Sequence, residues 1–329
     1  MTIAIDAMGG DNAPNEIIKG ALDSLQVTSS KIILVGKEDV IKKELSPHHT
    51  DRIEIVPATQ VIETDEGAAA IKEKKDSSIV VGLDLLRAGR CDSFISAGST
   101  GALLTGATLK IKRISGIRRP ALATLLPCAT GHVILLDSGA NVDCKADYLL
   151  QFAILGSAYM EHIHGVKDPF VGLLNIGSEK DKGNTLTKET YDLLLKSSLN
   201  FYGNIEARDI ATGTVHVAVC DGFCGNLVLK TAEGYSKFIF DTIKKELMAT
   251  TIRKAGAFLS KGAFKNIKKS LDYSEVGGAP FLGLQSLVIK SHGSAKAKDI
   301  VGAVKQAQKF IQNDTINKIQ AITKNLALA

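Results

Sequence analysis

The chain reads as an α/β protein, a mostly parallel sheet in a three-layer α/β/α arrangement. Three observations predict this. Short apolar runs alternate with longer stretches of helical periodicity. Several runs are apolar on both faces, as when helices cover both sides of a sheet. Glycine-bearing polar turns stand where the runs end.

In chain order, strands are expected at Ile3–Ile5, Ile32–Val35, Ile53–Val56, Phe94–Ser96, Val133–Asp137, Phe170–Leu174 and Val215–Cys220. Helices are expected at Glu16–Leu25, Ile79–Ala88, Ala102–Leu109, Ala146–His164 and Lys188–Lys196. Strand followed by helix, repeated, predicts right-handed crossovers. No repeat, low-complexity tract or linker interrupts the pattern, so residues 1–329 are expected to form a single domain. Within it, Ile243–Asp272 stands apart. Apolar residues such as Ile252, Phe258, Leu259 and Phe264 recur there at helical spacing, with lysines between them. Gly256 and Gly262 are expected to break this stretch into a helical hairpin.

Hydrophobic residues make up 45% of the 329 and charged residues 23%, which places the chain among ordinary globular proteins. Trp is absent, so the core must be built from Ile, Leu, Val and Ala. A net charge of +5, without zinc-finger spacing or an aromatic-basic signature, does not indicate nucleic-acid binding. Five scattered cysteines, Cys91, Cys128, Cys144, Cys220 and Cys224, are expected as reduced thiols of a cytosolic protein. No secretory signal is read at the start. No stretch approaches the ~20 apolar residues of a spanning helix.

Four turns carry the candidate chemistry: Met8–Asp11, Ala97–Gly101, Ser138–Asn141 and Asp221–Asn226. Ligands of open α/β sheets bind at the carboxyl ends of strands, so these turns should converge on one site. Gly98-Ser99-Thr100-Gly101 lies between a strand and a helix. Backbone N–H groups and two hydroxyls there suit a phosphate, which glycine lets approach closely. The same residues also fit a tight turn with a Ser/Thr cap. Asn226 can donate to an oxyanion or cap a helix, and Asp137–Asn141 has the same layout. Lys182, in the polar loop Gly177–Asn184, can neutralise a phosphate or the charge developing on a thioester carbonyl, or be merely solvated. His292 fits a proton donor, a phosphate ligand or a packed imidazole.

Several chemistries are set aside. No phosphate loop of the Gly-x-x-x-x-Gly-Lys-Ser/Thr type and no dinucleotide fingerprint occurs. No Gly-x-Ser-x-Gly elbow occurs. Cys220 and Cys224 have no second pair with which to hold zinc. No histidine partner marks Cys224 as a nucleophile.

Taken together the turns form a pattern. Ile5–Asp11 with Ala13-Pro14, Ser96–Gly98 with Thr100–Ala102, Arg119–Leu122 and Asp137–Asn141 are followed by Lys182-Gly183-Asn184, Asp221–Phe223 with Gly225-Asn226, Gly277–Pro280 and His292–Ser294. In this order, over nearly the whole chain, they resemble the PlsX family of bacterial phosphate acyltransferases. The resemblance implies an isocitrate/isopropylmalate dehydrogenase-like fold, a homodimer, and no metal or organic cofactor. It implies that inorganic phosphate attacks the thioester of an acyl-[acyl carrier protein]. The acyl phosphate formed would feed the glycerol-3-phosphate acyltransferase of phospholipid synthesis. Carried over by motif, Lys182 and Asn226 are the expected catalytic residues. Gly9, Gly10, Ser99, Thr100, Gly101 and Asn141 are expected around phosphate, with Asp6, Asp137 and His292 orienting them.

The resemblance also implies a cytoplasmic protein held peripherally at the inner face of the cell membrane. Residues 243–272 match its projecting helices. Phe258, Leu259 and Phe264 would enter the interface of an anionic membrane while Lys261 and Lys265 meet headgroups. A helical dimer interface, or a docking face for the acidic carrier protein, fits the same stretch. Ser99 stands where the family usually has Asn, Ala295 where it has Ser, and His216 where it has an acidic residue. Three rivals are weighed. An NAD-linked hydroxyacid dehydrogenase lacks its nucleotide loop and aspartate cluster here. A short-chain enzyme using acetyl-CoA differs only in its acyl group. A non-enzymatic membrane scaffold leaves the polar turns unexplained.

Overall fold

The computed structural model describes residues 1–46, 50–271 and 277–326. The chain begins β1 (Thr2–Asp6), α1 (Asn15–Ser24), β2 (Lys31–Gly36), α2 (Glu38–Leu45), β3 (Ile53–Pro57), α3 (Ala70–Glu73), α4 (Ser78–Arg87), β4 (Ser93–Ser96) and α5 (Thr100–Lys110). It continues through β5 (Ala121–Leu122), β6 (Thr124–Cys128), β7 (Gly131–Leu136), α6 (Ala146–His164), β8 (Val171–Leu174), α7 (Thr185–Lys196), β9 (Phe201–Ile205), α8 (Ala207–Thr212) and β10 (Val217–Val219). It closes with α9 (Gly222–Leu247), α10 (Thr251–Leu259), α11 (Lys261–Leu271), β11 (Ala279–Leu282), β12 (Leu287–Lys290), α12 (Ala297–Gln312) and α13 (Thr315–Leu326).

The strands divide between two sheets. One has the order β3-β2-β1-β4-β12-β11-β5, the other β6-β7-β10-β8-β9. β1 to β4 and β12 run parallel, with β11 antiparallel between β12 and β5. In the second sheet only β6 is antiparallel. The chain therefore leaves the first sheet after β5, builds the second, and returns through β11 and β12.

Alternation along each strand explains the layers, because successive side chains point to opposite faces. On β2, Ile32 and Leu34 enter one apolar core while Ile33 and Val35 enter another, against α4 and α5. On β7, Ile134 and Leu136 join the first of these cores, and Val133 and Leu135 join a third on the outer face of the second sheet. The first core thus runs without interruption from β1 and β4 to β7 and β10, with α6 contributing Phe152, Leu155 and Tyr159. With Trp absent, the layer is filled by aliphatic side chains and a few aromatics that are fully buried, including Phe94, Phe152 and Phe310.

Caps set several boundaries. Ser77 begins α4 and accepts from the Val80 N–H, and Asn184 begins α7 and accepts from the Thr187 N–H at 3.0 Å. Gly165, at φ +70, closes α6 in the left-handed conformation. His216 accepts the Phe170 N–H on Nδ1 at 3.0 Å and stacks on the Phe170 ring, so it sits where β8 and β10 begin, at the amino-end rim of the second sheet.

The basic stretch breaks elsewhere than expected. The Thr250 hydroxyl accepts from the Arg253 N–H and starts α10, and Ser260 separates α10 from α11. Gly256 and Gly262 lie inside those helices. A side-chain cap, not glycine flexibility, sets the break at Thr250. Phe258 and Leu259 are exposed, as are Lys261 and Lys265, whereas Phe264 is half-buried. Asp272, the expected end of the stretch, lies outside the described residues. Among the described residues no helix is long and apolar enough to cross a membrane.

Candidate active site

A cavity of about 650 Å³ opens where the two sheets meet. Ala97–Gly101, after β4, line it beside Lys290–Ser294, at the end of β12. Ser138 and Gly139, after β7, line it from the second sheet. Helix α9 presents Asn226, Leu229, Lys230 and Glu233 to it, a spacing that puts all four on one helical face. Leu122, Leu125 and Ala279 add an apolar wall.

Buried groups behind the lining hold its turns. Asp6 ends β1, fully buried, and accepts from the Ser96 hydroxyl at 2.7 Å and the Met8 N–H at 3.1 Å. The Ser96 oxygen in turn accepts the Gly98 N–H, so Asp6 sets the start of the Ala97–Gly101 turn through Ser96. Burial pushes the Asp6 carboxyl above the usual carboxylate range, against the pull of these hydrogen bonds. Gly9 and Gly10 back the same turn. A methyl group at Gly9 would stand 2.7 Å from the Gly98 nitrogen, and Gly10, at φ +100, lies against Ala97 and the Gly293 carbonyl. Neither lines the cavity.

Asp137 does the same work in the second sheet. It accepts from the Leu122, Ala140 and Asn141 N–H groups and from the Asn141 amide, and burial again raises its carboxyl. The Asn141 amide also donates to the Pro120 carbonyl at 2.8 Å. Its donors are therefore spent inside the protein, and Asn141 supports the Ser138-Gly139 turn from behind instead of reaching the cavity. The first turn of α9 packs backbone to backbone on this segment. The Gly222 N–H donates to the Asn141 carbonyl at 2.7 Å, and Gly225 leaves no room for a methyl beside the Asp137 carbonyl.

Five of the residues expected at the site line the cavity: Ser99, Thr100, Gly101, Asn226 and His292. Ser99 is the cap of α5, with its oxygen facing the Ala102 N–H and its hydroxyl reaching the Glu66 carbonyl. The cap reading of this turn holds, and the capped helix start, the end of a helix that favours anions, also borders the cavity. Asn226 is not a cap. Asp221 caps α9, accepting from the Cys224 N–H at 2.7 Å, and Asn226 sits one turn inside, its side-chain amide with no hydrogen bond among the described residues. His292 accepts the Ser294 N–H on Nδ1 at 3.2 Å, which leaves the proton of the neutral ring on Nε2. Burial lowers its pKa, favouring that neutral form.

Lys182 is off the lining. It lies exposed in the loop after β8, whose backbone is held by the Asn175 amide. β8 runs parallel to β10, and β10 to β7, so this loop shares the rim with the turns after those strands. Four charged lining groups, Lys230, Glu233, Lys290 and Asp299, were not singled out from the sequence. Lys230 and Glu233 pair at 2.9 Å. Lys290 is buried, and burial lowers its pKa to about 8. A lone lysine closing the apolar run Leu287–Ile289, directly before Ser291-His292-Gly293, was the available signal. The cysteines nearby stay thiols: burial pushes Cys224 up to about 11 and Cys144 up to about 12.

Residues 1–318 match the family described as fatty acid synthesis protein. The chain is 48% identical over 322 residues to a phosphate acyltransferase of Thermoanaerobacter pseudethanolicus, spanning 97% of this chain and 96% of that protein. A phosphate acyltransferase of Dictyoglomus turgidum is 50% identical over 324 residues, spanning 97% and 96%. Among solved structures, a phosphotransacetylase from Streptococcus pyogenes is similar with a TM-score of 0.61 at 18% identity, covering 95% of this chain and 94% of that one. A putative 4-hydroxythreonine-4-phosphate dehydrogenase from Salmonella typhimurium reaches 0.56 at 10% identity, covering 94% and 98%. These two likenesses show the α/β fold.

The backbone contact under α9 makes a prediction. Gly225→Ala forces the helix off the Asp137–Asn141 turn, costs ~1–3 kcal/mol or more, and moves Asn226. Melting temperature and turnover should both fall. Gly256→Ala, which meets open space on α10, should lower neither.

Proposed function

The chain belongs to the PlsX family of phosphate acyltransferases, and from that premise we propose that its inter-sheet cavity moves a fatty acyl group from acyl carrier protein to inorganic phosphate. One observation carries the assignment of the site. The start of α5, the unpartnered Asn226 amide and the neutral His292 ring border one cavity, and no activated nucleophile stands among them. Direct transfer needs that combination: an anion cradle and donors for developing charge.

A phosphate oxygen attacks the thioester carbonyl carbon and forms the new C–O bond. The carbonyl oxygen becomes an oxyanion, to which the Asn226 amide donates. Lys182 adds positive charge from the rim. The C–S bond then breaks, and the proton given up by phosphate ends on the carrier's sulfur. Ser99, Thr100 and Gly101 hold the phosphate at the start of α5, and His292 donates to it through Nε2. Asp6, Asp137, Asn141, Gly9 and Gly10 act from behind by fixing the turns. Leu122, Leu125 and Leu229 receive the first methylenes of the acyl chain. No metal or organic cofactor enters this scheme, and the acyl phosphate passes to a glycerol-3-phosphate acyltransferase.

The whole chain acts as one catalytic domain, supported by the apolar core shared by both sheets. Helix α9 exposes Leu227, Tyr235, Phe238 and Ile239, an apolar stripe that supports a homodimer. On α10, Phe258 is 76% and Leu259 85% exposed, next to Lys261 and, one turn further, Lys265. This supports peripheral contact with the anionic cytoplasmic face of the membrane.

Three measurements test these readings. Incubation with palmitoyl carrier protein and phosphate should yield acyl phosphate by mass detection, and Asn226→Ala should lower kcat roughly 10²- to 10³-fold with phosphate KM little changed. Product at the wild-type rate from that variant removes Asn226 from the mechanism. Replacing Lys261 and Lys265 by Glu should weaken binding to anionic vesicles by roughly 1 kcal/mol for each lysine charge lost; unchanged sedimentation with vesicles counts against membrane contact. Phe238→Asp should halve the sedimenting mass, and an unaltered mass excludes the α9 stripe as the dimer face.

A further inference from the structure

Of the two lysines lining the cavity, neither used in the scheme above, Lys290 is the one without an ion pair among the described residues. Lys290 ends β12, is 8% exposed, and donates from Nζ to the Ala97 carbonyl at 3.2 Å and to the Ser291 carbonyl. These carbonyls begin the Ala97–Gly101 and Ser291–Ser294 turns, side by side because β4 and β12 are paired neighbours. An ammonium has three donors. Two are spent on carbonyls, and the third remains for the cavity that the side chain lines.

Among the described residues no carboxylate lies within ion-pair distance of Lys290. The other lining lysine, Lys230, is already paired with Glu233. A buried cation without a direct ion pair is costly, and carbonyl dipoles with the more distant Asp6 and Asp11 offset only part of the cost. An anion in the cavity completes the pairing.

We propose that Lys290 is the cation that anchors phosphate: its third N–H meets the anion held at the start of α5, and its two carbonyl bonds lock the flanking turns around it. The proposal rests on the phosphate acyltransferase reading and adds a binding residue to it.

The surroundings fix the sign of the pH dependence. Asp6 faces Lys290 from β1, Asp11 from the following turn, Lys230 and Glu233 from α9, His292 from its own turn and Asp299 from α12. Burial brings its pKa down to about 8, Asp6 and Asp11 pull it up, and Lys230 pushes it down. The charged form binds phosphate, so affinity falls as pH rises through that value. A bound anion raises the pKa, so binding at alkaline pH takes up a proton.

The test is steady-state kinetics with palmitoyl carrier protein and inorganic phosphate between about pH 7 and about pH 9.5, on wild type, Lys290→Met and Lys290→Arg, each checked by thermal melting. Wild-type phosphate KM should climb above the lysine pKa, approaching ~10-fold per pH unit. Lys290→Met should raise phosphate KM ~10- to 100-fold at neutral pH, the loss of one charge-assisted hydrogen bond, and flatten the climb. Its KM for the carrier thioester should stay within ~3-fold, since a group that binds only phosphate leaves the other substrate alone. Lys290→Arg, charged throughout, should restore phosphate KM at high pH. A folded Met variant with unchanged phosphate KM overturns the proposal. So does a wild-type phosphate KM that is flat over the whole range, a result that needs neither variant to fold. If wild type makes no acyl phosphate, the parent reading fails and this one with it. An active wild type beside an indifferent variant fails this one alone.

Discussion

Two buried carboxylates, Asp6 and Asp137, hold the turns on which the site depends. Each stands at the carboxyl end of a strand in a different sheet, and each gathers donors from the turn that follows. Taking a carboxylate out of water is costly unless donors replace the lost hydration. Here burial outweighs the donors, since both carboxyls are pushed up in pKa. The turns are therefore held by groups whose own placement opposes ionisation, and the donors around them cannot move away without adding to that cost. The glycines at 222 and 225 complete the constraint by letting α9 rest directly on the second of these turns.

From this frame follows the character of the chemistry. The lining offers donors and charge: the start of α5, an asparagine amide, a neutral histidine and a buried lysine. The thiols close to the site are kept protonated by burial and by the negative charge of Asp221 beside them. Such a surface suits the proposed scheme, in which charge that appears on bound reactants is stabilised and the bond-making is left to the reactants themselves. Helix α9 faces the cavity with both polar and apolar residues, Asn226 and Lys230 beside Leu229, which suits a substrate with a polar head and a hydrocarbon tail.

Much of this was legible in the sequence because strand periodicity and turn chemistry are local. Val133–Asp137 and Ile32–Val35 are apolar on both faces, and both prove to be strands covered on both sides. Ser99 and Asn226 were found because glycine turns mark strand ends. What escaped depends on distant contacts. That the strands divide into two sheets is not written in any one of them. Whether Asn141 faces a ligand or props a turn depends on the Pro120 carbonyl, 21 residues away in sequence. β9 was missed because half-exposed Phe201, Tyr202 and Gly203 do not read as a buried strand. The helix break at Thr250 was missed because glycine was given more weight than a capping hydroxyl.

Helix α9 has one more consequence. It spans 26 residues without a break, about 39 Å at ~1.5 Å per residue. Its root presents an amide to the inter-sheet cavity, and its far end carries α10 and α11 out into solvent. An unbroken rod admits few independent adjustments along its axis. Wherever that outlying platform comes to rest, the aim of the amide at the opposite extremity is set by the same rigid body.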